Sequence, residues 1–171
     1  DSVVVHYIGT AADLVLFWRS VPEIEELDAN SYMALAPAMF PTARFHPDLA
    51  SQAKRFSRRW NEIRPVITRH LIALHDHYRR VYDKHGGENE LVKKEMAATT
   101  NVDMSVESPN THKNKKAMEE RDVAFDGVTV RCEWHTKLSW DYDRIHFCVG
   151  HPQVDDGKKL LIGIFAKHLT I

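Results

Sequence analysis

Residues 133–147 read EWHTKLSWDYDRIHF. Trp, His, Lys, Arg and acidic side chains sit here on an apolar frame. Successive side chains on a strand point to opposite faces, so Trp134 and Leu138 separate from His135 and Lys137, and Ile145 and Phe147 separate from Arg144 and His146. Read this way, the stretch is a β-hairpin that brings His135 and His146 near each other.

Working outward, the β character begins at Arg121. Val123–Phe125, the turn Asp126-Gly127 and a long run Val128–Leu138 predict a strand, a tight turn and a long strand. Arg144–Val149 is the third strand. Lys158–His168 is the fourth, after the turn residues Pro152, Asp155, Asp156 and Gly157. The expected sheet is a four-stranded antiparallel meander. Val128, Val130, Cys132, Trp134 and Leu138 then share its apolar face. Arg131, Glu133, His135, Lys137, Arg144 and His146 gather on the other, and the last strand adds Lys167 and His168 at its end.

Upstream the pattern is helical. Val3–Ile8 reads as a strand. Thr10 and Asp13 form a capping box ahead of a helix over 11–20, and Pro22 ends it. Residues 31–40 form a short helix broken at Pro37. Leu49, Ala53, Phe56, Trp60, Ile63, Ile67, Leu71, Leu74, Tyr78 and Val81 recur in steps of three and four. This spacing predicts one long amphipathic helix over 47–82, kinked at Pro65 and stopped at Gly86-Gly87. Residues 88–98 make a further helix. Residues 99–121 show no sustained period and few large apolar side chains, and read as a loop or linker with a basic cluster at Lys113–Lys116. The expected fold is α+β: residues 1–98 helical, 99–121 connecting, 122–171 an antiparallel sheet, all packed as one domain with the helices on one face of the sheet.

The chain has 171 residues, 43% hydrophobic and 27% charged, with net charge −1. That balance excludes a uniformly basic nucleic-acid binder but not a local basic patch. Residues 1–30 are acidic, with Arg19 as their one Lys or Arg. Residues 52–80 carry Lys54, Arg55, Arg58, Arg59, Arg64, Arg69, Arg79 and Arg80. Of these, Lys54, Arg55, Arg58, Arg59, Arg69, Arg79 and Arg80 lie off the apolar seam, a stripe that suits phosphates or a solvated face. Two cysteines, Cys132 and Cys148, are too few for a disulfide scaffold and wrongly spaced for zinc; no disulfide between them and a cytosolic setting are expected. No apolar run reaches transmembrane length and no signal peptide is visible, so no membrane contact is expected. The chain starts on Asp rather than Met, as a piece of a longer protein would.

A His pair beside Arg, Lys and Glu suits phosphodiester cleavage without a metal. RNA carries its own nucleophile, the 2′-hydroxyl. The protein need supply only a base, an acid and cations for the charged phosphorane. His135 and His146 are the expected acid/base pair, with Glu133 orienting them or competing as base. Arg144 and Lys137, with Arg131, Lys167 and His168, are the expected phosphate binders. No cofactor is expected.

The strand DYDRIHFCV followed by the apolar strand KLLIGIFAKHL resembles the RelE/HigB-type toxin ribonucleases, a bacterial group of small metal-independent ribonucleases with barnase-like sheets. The resemblance covers residues 121–171 and rests on Arg144, His146 and the Lys167-His168 end. It implies a functional surface on the sheet, messenger RNA as substrate and a possible inhibitor chain. Two other readings stand beside it. Glu133, His135, His146 and His168 have the right chemistry for a metal but no zinc spacing. A non-enzymatic RNA- or protein-binding module of a larger assembly would dock a partner along helix 47–82. Geometry discriminates: an enzyme needs His135 and His146 to converge with Arg144 in a concave pocket, whereas a binding module leaves them spread out.

Overall fold

The computed structural model describes residues 5–139 and 142–170. Trp140 and the first two residues of the expected Val3–Ile8 strand lie outside the described residues, and residues 5–9 form no strand. The fold is α+β, with a five-stranded mixed sheet and a separate two-stranded hairpin. This corrects the four-stranded antiparallel expectation.

Helix α1 (Ala11–Ile24) begins at the anticipated capping box: the Thr10 hydroxyl accepts from the Asp13 N–H, and the Asp13 carboxylate accepts from the Thr10 N–H. Helix α1 runs through Pro22, and α2 (Ala29–Met39) runs through Pro37. Arg19 binds both oxygens of Asp76 at 2.8 and 2.9 Å and the Met39 carbonyl at 3.0 Å. This planar fork ties α1 to the end of α2 and to the long helix beyond.

Strand β1 (Ala43–Phe45) pairs in parallel with β7 (Leu160–Ala166) and makes the sheet mixed. Three residues gave no periodic signal. The helix expected over 47–82 is broken. Helix α3 (Leu49–Gln52) runs into a 3-10 turn, and residues 56–59 leave the helix. The cause is Asp143: its buried carboxylate accepts from the Ser57 N–H at 2.7 Å and the Ser57 hydroxyl at 2.6 Å. The chain then runs helically from Trp60 through α4 (Trp60–Ala73), a π turn (Leu74–Tyr78) and α5 (Arg79–Lys84). The irregularity sits at the π turn, not at Pro65. Pro65 and Asn61 are both exposed, so the turn whose hydrogen bond Pro65 cannot make lies on the solvent side of the helix.

The apolar seam is nonetheless buried. Ile63, Ile67, Leu71, Leu74, Tyr78 and Val81 pack with Trp134, Ile145, Phe147, Ile162 and Phe165 of the sheet. Tyr78 meets Phe147 edge-on at 4.9 Å and Trp134 at 5.5 Å. A seam committed to its own core is not open to a partner, so the docking role expected for helix 47–82 falls on this face. Arg79 is half-buried and donates to the Val149 and Gly157 carbonyls, and Arg58 to the Leu138 carbonyl. These two leave the exposed basic stripe; Lys54, Arg55, Arg59, Arg69 and Arg80 stay on it.

Residues 99–121 are not a loop. After α6 (Asn89–Thr100) come β2 (Met104–Ser105), α7 (Pro109–Lys113) and α8 (Lys115–Glu119). Hairpin β3 (Asp122–Phe125) and β4 (Val128–Arg131) turns at Asp126-Gly127, both at positive φ, as anticipated. The long strand expected over Val128–Leu138 breaks at Cys132 and Glu133. Its second half, β5 (Trp134–Lys137), joins β6 (Arg144–Cys148) in the main sheet, in the order β1-β7-β6-β5-β2. The break turns Val130 and Cys132 into a second core with Val123, Phe125, Leu161 and Ile164, separate from the core that buries the long helical seam. The expected solvated face is therefore largely covered: β6 is buried apart from half-exposed Cys148, and β7 is buried throughout. Both cysteines are free, and both belong to this second core.

At Gly163 the main sheet lies close against the hairpin and Cys132. The β6–β7 register skips it, and an added Cβ would lie 2.5 Å from Cys132 Sγ and 3.2 Å from Val123 Cγ2. Gly163→Ala is expected to destabilise the fold by about 1–3 kcal/mol through overpacking, seen as a lower urea midpoint at unchanged slope. An unchanged midpoint would refute the close approach.

His70 is buried with Nδ1 unpartnered. Burial, with the cations Arg69 and Arg58 nearby and only Asp103 opposing, lowers its pKa from 6.5 to about 4. Between these values the unfolded chain binds a proton that the folded chain refuses. This contribution to stability is complete above about pH 6.5 and is lost as pH falls toward 4, at about 1.4 kcal/mol per pH unit. Urea unfolding across this range is expected to show a shallower pH slope in His70→Leu than in the wild type.

Candidate active site

Three neighbouring segments build the site. The β5–β6 pairing sets His135 directly opposite His146, with ring centroids 5.0 Å apart. Strand β2 pairs with β5 so that Ser105 lies opposite His135, and the Ser105 hydroxyl is 3.0 Å from His135 Nε2. Two residues on, Glu107 is on the same side of the chain. Its Oε1 lies 3.4 Å from His135 Nδ1 and 3.7 Å from His146 Nδ1. Arg121, between α8 and β3, completes the cluster with Nε 3.0 Å from the same oxygen. Its NH1 donates to the Ala117 carbonyl at 2.6 Å.

Glu107, Arg121 and His146 are buried, at 6%, 2% and 2% exposure. None of the contacts between Glu107 Oε1 and its three neighbours is an aligned hydrogen bond, and both nitrogens of His146 lack a partner. Burial alone would push the Glu107 carboxyl up. The His135 and Arg121 side chains outweigh that and hold it down at about 2. Burial, with His135 alongside, lowers His146 to about 3, so this ring is neutral near pH 7. Glu107, His135 and His146 are also the one group of three among the described residues whose ligand atoms come close enough to share a metal, all within 4.8 Å.

The cluster forms the floor of a cavity of about 210 Å³. Lys137, Arg144 and His168 line it with Ser108 and Thr111. Lys137 pairs with the exposed Asp103 at 2.9 Å. Arg144 NH1 donates to the carbonyls of Ser139, Tyr142 and Asp143 and so braces the β5–β6 turn beside the cavity.

The structure thus brings together five of the eight expected site residues: His135, His146, Lys137, Arg144 and His168. Three lie elsewhere. Glu133 sits at the strand break, 3.7 Å from His112, outside the cavity lining. Arg131 is bound to Asp122 at 2.6 and 2.8 Å on the hairpin. Lys167 is exposed, over the Tyr142 ring at 4.8 Å. The strand break at Cys132 and Glu133 carries the first two away from the sheet face.

The buried acid is Glu107, and with Arg121 it comes from the segment read as a linker. A signal was present there. Ser108-Pro109 is an N-cap followed by Pro at the first helical position, and the Ser108 hydroxyl accepts from the Thr111 N–H at 3.1 Å. Asn114 caps α8 in the same way.

Compared with protein-family models, curated proteins and solved structures, the chain matches none.

Proposed function

We propose that this chain is a metal-independent ribonuclease of the kind its last fifty or so residues resemble, with its site in the Glu107–His135 cavity. The observation that supports this reading is the convergence of His135, Lys137, Arg144 and His168 on one concave site floored by an ionised carboxylate. The alternative of a flat binding surface receives no such support.

His135 is the base. Glu107 faces Nδ1 and favours the tautomer with its proton there, which leaves Nε2 to accept. Nε2 takes the proton of an RNA 2′-hydroxyl. The 2′-oxygen attacks phosphorus, and the bond from phosphorus to O5′ breaks. His168 at the rim protonates O5′. Lys137 and Arg144 supply positive charge for the phosphorane. His146, buried and neutral, backs His135 rather than exchanging protons itself. The products are a 2′,3′-cyclic phosphate and a 5′-hydroxyl.

The chemistry of the ends tests this reading. Single-stranded RNA cut by the protein in EDTA is expected to carry those two ends, and the same strand with 2′-deoxyribose at the cut position is expected to resist. Ends of the 3′-hydroxyl and 5′-phosphate type would refute it, because no 2′-oxygen attack leaves them. Lys137→Ala is expected to weaken RNA binding and lower the salt slope by about one.

A further inference from the structure

We infer that Glu107, His135 and His146 form a transition-metal site, and that an ion held there switches the ribonuclease off. The regulatory half rests on the proposed function; the binding half does not.

The spacing carries the argument. A hydrogen bond between an imidazole nitrogen and a carboxylate closes to about 2.7–2.9 Å. Here both Nδ1 atoms stand off from Glu107 Oε1 at 3.4 and 3.7 Å, and neither is aligned. Two ligands on a tetrahedral ion, each bonded at about 2.0–2.1 Å, lie about 3.3–3.4 Å apart. Oε1 thus stands beyond the usual hydrogen-bond length from both nitrogens and near the spacing that would let it share an ion with either, and ligand atoms of all three residues lie within 4.8 Å of one another. Glu107 and His146 are also more than nine-tenths buried, and burying polar atoms without partners is costly. An ion would satisfy three of them at once.

Two imidazoles and a carboxylate suit Zn²⁺ and its neighbours Co²⁺, Ni²⁺ and Cu²⁺, not Mg²⁺ or Ca²⁺. The cavity leaves the fourth position open. Arg121 sets the strength. Its Nε lies 3.0 Å from Glu107 Oε1 as an ion pair, and a carboxylate oxygen has lone pairs left for an ion. A guanidinium beside the ion lowers affinity, which fits an ion that comes and goes.

The switch follows from the tautomer. A metal on His135 Nδ1 forces the ring proton onto Nε2. That nitrogen then donates and cannot take the 2′-hydroxyl proton. His135 is base or ligand, not both.

The test uses the full chain, stripped with chelator and then titrated with Co²⁺. The expected result is one equivalent bound, with the intense visible absorption of a four- or five-coordinate ion, bleached by Zn²⁺. The ring-proton resonances of His135 and His146 are expected to shift or broaden in the same titration, which needs no variant. In His146→Gln, shown folded by circular dichroism, the absorption is expected to vanish. No bound Co²⁺, or Co²⁺ that perturbs His75 or His85 while His135 and His146 stay unshifted, overturns the site. In parallel, Zn²⁺ is expected to abolish RNA cleavage measured before its addition and EDTA to restore it. Full cleavage by Zn²⁺-loaded protein overturns the switch. Absence of cleavage under every condition overturns the proposed function and leaves the Co²⁺ result standing on its own.

Discussion

His135→Ala is expected to lower RNA cleavage in EDTA by about 10²–10⁴-fold, the usual worth of a positioned general base. The loss should fall on the rate of the chemical step, with RNA affinity little changed, because Lys137 and Arg144 remain to hold the phosphate. His135 is half-buried at the cavity wall rather than in the core, so the variant is expected to fold. Glu107→Gln should reduce the rate less, because the amide oxygen can still face Nδ1 and favour the same tautomer. Single-turnover rates across pH separate these effects from a structural defect. Wild-type rates in a folded His135→Ala protein would remove this residue from the mechanism.

Arg121→Ala is expected to cost about 3–5 kcal/mol of stability, because it strands the Glu107 carboxylate in the interior without its guanidinium partner. Arg121 is 2% exposed and lies 3.0 Å from Glu107. A double replacement, Arg121→Met with Glu107→Leu, removes both charges and keeps the volume. It should recover most of the loss, since two buried charges are more cheaply deleted together than singly. Urea unfolding of the single and double variants checks this. A small loss for Arg121→Ala would mean that water reaches the carboxylate and that the cluster floor is not closed.

The residues that the sequence revealed are those whose periodicity records burial. Ile63, Ile67, Leu71, Leu74, Tyr78 and Val81 showed the helical seam, and all six are buried in the core. Asp126-Gly127 showed the hairpin turn. The His135–His146 pairing was legible because β5 and β6 alternate as ordinary antiparallel strands. What stayed hidden depended on contacts distant in sequence. Nothing near Ser57 announces that Asp143, far along the chain, will pull residues 56–59 out of a helix. Strand β1 is too short to show a period, so the parallel edge went unread. The Cys132 N–H still bonds the Arg121 carbonyl in the register of the β3–β4 hairpin, so the chain leaves that pairing only after Cys132, and that break moved Glu133 and Arg131 away from the site. Glu107 and Arg121 lie in a segment with little apolar pattern, since a buried ion pair leaves no hydrophobic signature. The caps at Ser108 and Asn114 were the available clue that residues 99–121 are structured.

The most direct test of the central claim is to incubate the folded, full-length chain in EDTA with an end-labelled RNA pool of randomised sequence and a matching DNA pool. Cleavage of the RNA and none of the DNA is expected. Intact RNA, or equal cutting of both pools, would contradict that claim.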